Sequence, residues 1–480
     1  MSILKTVNLD IIGDYARHGY DEFDPKRTLN MYAAVDPQGK NKKSLFTRPG
    51  LKEVKTLVRR GRGSGRGRAA HVFDNKVFIV IDDRIYFLDT SLNIVYLGEI
   101  LTDRGYVGIE DNGTECVFVD GKGGWVYSKD TGLLTEITAP GFLDNPVDVT
   151  VLAQRFIVCQ AESDSWGISG INDANSWDTL DRAKLTAYPD VFTGLGRLRG
   201  LLYLFGQRSV EVWYDSGQAF PFSQQSVQTL DYGCASAGSI AINFEHAIWL
   251  ARYYNGQVAI VMTTGGEPTR ISTAAIEEEL ALYENPEDAS AYIFKNRIGY
   301  IFYVINFTED NRTWMYCLNT QSWSQLSHKD EDRWLPEAYF YYNDKHYVLP
   351  YNANSILELS DQIYDDNGIA IRKMREVGVF SLPNYKNHNI HEIWFDLKTG
   401  TGTEYGKNED PLLRLEISRD GGITYGNQLS QKIGKIGKRK TEVRFFNLGI
   451  SADTVLRIEN YNDLPLVLLG CSMTVGVPNA

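Results

Sequence analysis

Two basic runs and one histidine pair are the side chains whose type and spacing suggest chemistry. Arg59, Arg60, Arg62, Arg66 and Arg68 alternate with glycine and one serine between Arg59 and Arg68. Guanidinium groups on a backbone that glycine keeps from packing can reach phosphates of DNA, or of a membrane or glycan surface. On an acidic chain a single such loop reads instead as a solvated loop, or as one that pairs with acidic side chains of a neighbouring subunit. A second run, Lys432, Lys435, Lys438, Arg439 and Lys440, is punctuated by Gly434 and Gly437, which suit a projecting hairpin loop or a solvated turn. These two runs are the candidates for channel or subunit contact.

His388 and His391, beside Glu392, come nearest to a metal motif. At i, i+3 they would need a helix to share a face, yet HEIWFDL reads as a strand and no third ligand follows. Glu277, Glu278 and Glu279 spread around a short helix and read as its solvated side. Ser418 to Tyr425 resembles an Asp-box, the hairpin of sialidases and other β-proteins. In that hairpin the Asp carboxylate accepts turn N–H groups while the glycines take unusual φ. It is a folding device and occurs once. No nucleophile elbow, Walker loop or dinucleotide fingerprint is present. The expectation is a protein that is not an enzyme, with no cofactor, no catalytic residues and no metal.

These side chains sit on a repeating frame. A unit of roughly 45 residues recurs over the first three-quarters of the chain, each copy two or three short apolar-aromatic strands joined by turns rich in Gly, Asn and Asp. Strand pairs begin near Val72, Val107, Val149, Leu198, Ile240, Tyr292 and Tyr339. The spacing predicts an all-β fold, a β-propeller of about six or seven blades. Trp166, Trp177, Trp213, Trp249, Trp314, Trp323 and Trp334 are expected in its core rather than on a sugar-stacking surface. One helix is predicted at Ile271 to Tyr283, capped by Ser272 or Thr273, with Ile276, Leu280 and Tyr283 facing inward.

Residues 1–64 do not follow the repeat and are expected to be an N-terminal extension ending in the basic loop, ahead of a propeller over 65–370. Over 371–480 the strands lengthen and alternate cleanly. Leu413, Leu415 and Ile417 share one face, so a C-terminal antiparallel β-sandwich-like domain is predicted.

Composition narrows the function classes. A formal net charge of −12 argues against a generic phosphate-binding surface. The odd-numbered, widely spaced Cys116, Cys159, Cys234, Cys317 and Cys471 read as small buried hydrophobes in a reducing compartment. No secretory leader is visible at the N-terminus. No apolar run is long enough to span a bilayer, so synthesis in a cytoplasm without membrane insertion is expected.

Several segments resemble the tail hub, or nozzle, proteins of short-tailed bacteriophages, also called tail accessory or packaged-DNA stabilisation proteins. They are Leu29-Asn30-Met31-Tyr32-Ala33 and Leu45-Phe46-Thr47-Arg48-Pro49-Gly50-Leu51 near the start, and the helix segment Arg270 to Glu277. The strand–turn–strand–Trp run from Asn296 to Trp323, Ser418 to Gly426, and the closing strand Leu468 to Met473 complete the set. The arginine–glycine run is not part of that pattern. The resemblance implies a structural virion protein, a hexameric ring that extends the portal–adaptor channel, retains packaged double-stranded DNA and guides its ejection. It also implies a tail needle or plug at the far end and tailspikes or fibres outside. An acidic lumen would let DNA slide without being trapped. Two alternatives stand beside this: a sialidase-like or glycan-binding propeller, and a propeller scaffold for host proteins.

Overall fold

A computed structural model describes residues 3–16, 26–35, 43–57, 65–186, 189–329, 331–382 and 386–477. Seven antiparallel sheets follow one another around an axis, forming blades at residues 67–99, 108–136, 146–184, 192–230, 233–270, 290–326 and 336–360. The predicted β-propeller is therefore seven-bladed, and each of the seven predicted starting points lies in or next to the innermost strand of a blade.

The middle strands explain the fold. Lys76–Ile81, Glu115–Val119 and Arg155–Gln160 are near-continuous apolar runs because a neighbouring blade covers each face. Seven separate apolar cores result, one between each pair of adjacent blades. Phe78, Phe118 and Tyr127 meet between the first two blades, and Trp166 meets Trp213 edge-on at 5.2 Å between the third and fourth. All seven tryptophans named above are buried. Asp74-Asn75 and Asn343-Asp344 take left-handed φ at hairpin tips, the backbone that two-residue turns between twisted strands require.

The helix spans Ala274–Leu280, shorter than predicted, because Thr273 rather than Ser272 caps it and the chain turns away after Ala281. Ile276 and Leu280 are buried between the fifth and sixth blades, and the Tyr283 hydroxyl accepts from Trp314 Nε1 at 2.8 Å. Ser272 and Arg270 both engage Glu277, so one acid of the triplet fastens the helix start.

The N-terminal residues do not form a body of their own. Gly50–Thr56 pairs with Ser355–Ser360 and completes the seventh blade. Ile3–Leu9, Met31–Val35 and Lys43–Thr47 join Val467–Val477, His388–Leu397 and Val443–Ser451 in one sheet. Arg27–Leu29 lies between Ser322–Leu326 of the sixth blade and Lys373–Ser381, so a nine-stranded sheet runs from the propeller into the C-terminal part. The two C-terminal layers form a sandwich over Leu9, Met31, Leu45, Ile393, Leu415, Leu456 and Met473. Among the described residues no helix is long and apolar enough to cross a membrane.

Candidate functional site

Arg59, Arg60 and Arg62 lie outside the described residues. Arg66 and Arg68 open the innermost strand of the first blade, and both turn inward. Arg66 donates to Glu337 Oε1 at 2.8 Å and Thr308 Oγ1 at 2.9 Å, tying the first blade to the last. Its main-chain N–H and that of Gly65 donate to Asp82, fixing the loop end. Arg68 is buried and donates to the carbonyls of Asp82, Thr102, Arg104 and Gly105 at 2.6–2.9 Å. Burial lowers its pKa to about 10 against the opposing field of Asp120. Neither a solvated loop nor a neighbour-facing one describes Arg68, because its donors are already used inside the subunit. Arg333, also buried, pairs with the other oxygen of Glu337 and stacks on Tyr351 at 4.2 Å. Glu337 thus gathers two guanidiniums where the ring closes.

The second basic run does project. Lys432 pairs with Asp410 at 2.8 Å and Lys435 with Glu409, so an acidic loop faces that end. Lys438, Arg439 and Lys440 are exposed on the turn that Gly434 and Gly437 shape with positive φ. The histidine pair divides as a strand demands. His388 is buried with Nε2 against Thr454 Oγ1 at 2.9 Å, and His391 lies at a register shift in the same strand. In the Asp-box hairpin Asp420 accepts from Thr424 N at 2.9 Å and from the hydroxyls of Ser418 and Thr424. These bonds lower its pKa to about 2.

A buried polar network centred on Arg48 lies apart from both basic runs. Arg48 is fully buried, forks onto both oxygens of Asp366 at 2.9 and 2.6 Å, and lies over Trp334 at 4.5 Å. It also donates to Asn30 Oδ1, the Pro49 carbonyl and the Ser327 carbonyl. Asn30, at φ 56°, donates in turn to Ser327 Oγ and the Arg372 carbonyl. Burial alone would raise the Asp366 carboxyl, but the Arg48 charge and His328 at 3.2 Å hold it below the usual range. Nearby, buried Lys373 donates to Asn460 and Asn462, and desolvation lowers its pKa to about 7. Arg375 fastens the Ile11 and Asp14 carbonyls and Thr28, so the N-terminal segment is stitched to the sandwich. The Asn-Met and Arg-Pro-Gly motifs are therefore the clasp between propeller and sandwich. The family resemblance marks both segments in the sequence, but nothing local to them pairs Arg48 with Asp366.

On the propeller axis a cavity of about 840 Å³ is lined by Tyr106, Glu110, Asp148, Leu195, Arg197 and Phe244, among others. Asp148 is buried in its wall, and burial raises its pKa to about 7 although Leu195 N, Val149 N and the Tyr106 hydroxyl donate to it. A second cavity of about 740 Å³ lies between the sixth and seventh blades, with Phe294, Tyr339 and His346 in its wall.

The family model described as "Bacteriophage P22 Gp10, beta-propeller" matches residues 7–364 of the chain. No curated protein matches it. Among solved structures, that of the computationally designed Ika8 protein aligns with 11% sequence identity and a TM-score of 0.42. It covers 64% of this chain and 99% of that one.

Proposed function

The chain belongs to the phage-stabilisation family of the bacteriophage P22 Gp10 β-propeller, and on that premise we propose that it is the hub of a short phage tail. In this reading six copies form a ring below the portal and its adaptor and extend the channel through which double-stranded DNA leaves. The ring retains packaged DNA, carries a needle or plug at its far end, and holds tailspikes or fibres outside. It acts as a structural part of the virion rather than as an enzyme.

One observation carries the reading furthest: the family match runs through the clasp residues Asn30 and Arg48 and all seven blades. A sheet shared by propeller and sandwich suits a part that must transmit load between head and tail without hinging. A net charge of −12 suits a lumen past which phosphates slide. The sialidase-like alternative needs free arginines converging on an acid, whereas Arg66 and Arg333 are both committed to Glu337. Exposed Lys438, Arg439 and Lys440, together with Arg59, Arg60 and Arg62, are proposed as subunit or channel contacts.

Negative-stain imaging of the purified chain, alone and with the portal–adaptor complex, tests the assignment. Six-fold rings with a lumen wide enough for duplex DNA are expected. Single propellers that ignore the adaptor would overturn it.

A further inference from the structure

We propose that His71, Glu110 and Asp111 form a divalent transition-metal site that staples the first blade to the second beside the propeller axis. His71 stands on the innermost strand of the first blade, Gly67–Phe73. The two acids end the innermost strand of the second, Gly108–Asp111. One ligand atom from each of the three lies within 4.8 Å of the other two. A metal with bonds of about 2.1 Å spans such a set after small rotamer changes.

Three features point to a cation rather than to a plain ion pair. His71 Nε2 already sits 2.7 Å from Asp111 Oδ2, while Asp111 Oδ1 accepts from Gly113 N at 2.9 Å, so this carboxylate is preset by its own turn. Among the described residues the Glu110 carboxylate accepts only from the main-chain N–H of its neighbour Asp111, and no side chain donates to it. The guanidinium that faces it electrostatically, Arg197, donates instead to the Val151 carbonyl at 3.0 Å. A His71–Asp111 pair by itself gives the Glu110 carboxylate no side-chain ligand. A divalent cation held by all three satisfies both carboxylates at once.

The donor set selects the metal class. One imidazole nitrogen with two carboxylate oxygens suits Zn²⁺ or Mn²⁺ better than Mg²⁺ or Ca²⁺, which favour oxygen alone. Glu110 also lines the axial cavity, so water can complete the coordination.

The test uses the full chain stripped with EDTA and titrated with ZnCl₂, MnCl₂ or CoCl₂ by calorimetry, with the Co²⁺ visible spectrum as a second readout. One site per chain in the micromolar range or tighter is expected, with a rise in Tm on loading. Glu110→Gln keeps the His71–Asp111 bond and should weaken binding at least about tenfold without lowering the metal-free Tm. His71→Gln should abolish the Co²⁺ spectrum. No saturable binding up to millimolar metal, or unchanged affinity in Glu110→Gln, would overturn the proposal.

Discussion

The seven inter-blade cores and the clasp between propeller and sandwich are built from opposite materials. Each core is a stack of interchangeable apolar and aromatic side chains, such as Phe118, Ile157, Trp166 and Trp249. The clasp is a single buried network of Arg48, Asp366, Asn30 and Ser327, with His328 at its edge. Apolar packing tolerates a lost methyl group, since neighbours relax and the cost grows only with the cavity left behind. A buried ion pair tolerates almost nothing, because removing one partner strands the other charge in a dry site. The repeats therefore supply bulk stability, and the clasp fixes one docking geometry.

Arg48→Ala is expected to give the largest effect, and a mild one would erase the difference between core and clasp. Chemical denaturation of that variant should show a loss of about 3–5 kcal/mol. Arg48→Met with Asp366→Leu should restore much of it, because no orphan charge remains. Lys373 supplies the next effect. Its folded pKa of about 7 lies below the ordinary lysine value of 10.5, so between these values the folded state binds fewer protons than the unfolded one. Stability contributed by this group should rise with pH across that window. The difference between wild type and Lys373→Met across it should be on the order of 1–4 kcal/mol. Ile157→Val, in the core between the third and fourth blades, should cost only about 0.5–1.5 kcal/mol in the same assay. Charge reversal of Lys438, Arg439 and Lys440 should leave stability within about 0.5 kcal/mol while weakening ring assembly, read by light scattering. A large folding defect there would mean that the turn belongs with the clasp.

What was legible in the sequence follows the same division. Blade positions, buried tryptophans and the helix face were readable because hydrophobic period and turn residues act over a few neighbours. The pairing of Ile3–Leu9 with Val467–Val477, or of Gly50–Thr56 with Ser355–Ser360, has no local signature, so residues before the repeats read as an extension. Arg68 misled for a related reason: a run of arginines looks solvated until carbonyls from two turns converge on it. His71 and Asp111 are 40 residues apart, close to one repeat, so laying the repeats in register would have brought them together.

The strand that completes the seventh blade also sets a timetable. Gly50–Thr56 leaves the ribosome ~300 residues before Ser355–Ser360, a wait of roughly 15–60 s at ordinary synthesis rates. Throughout that interval the early strand has no partner and stays open to pairing with another chain. Ring closure is thus a late event, made only after most of the polypeptide has emerged. A nascent chain stalled within the blades would expose an unpaired edge instead of a smaller finished domain.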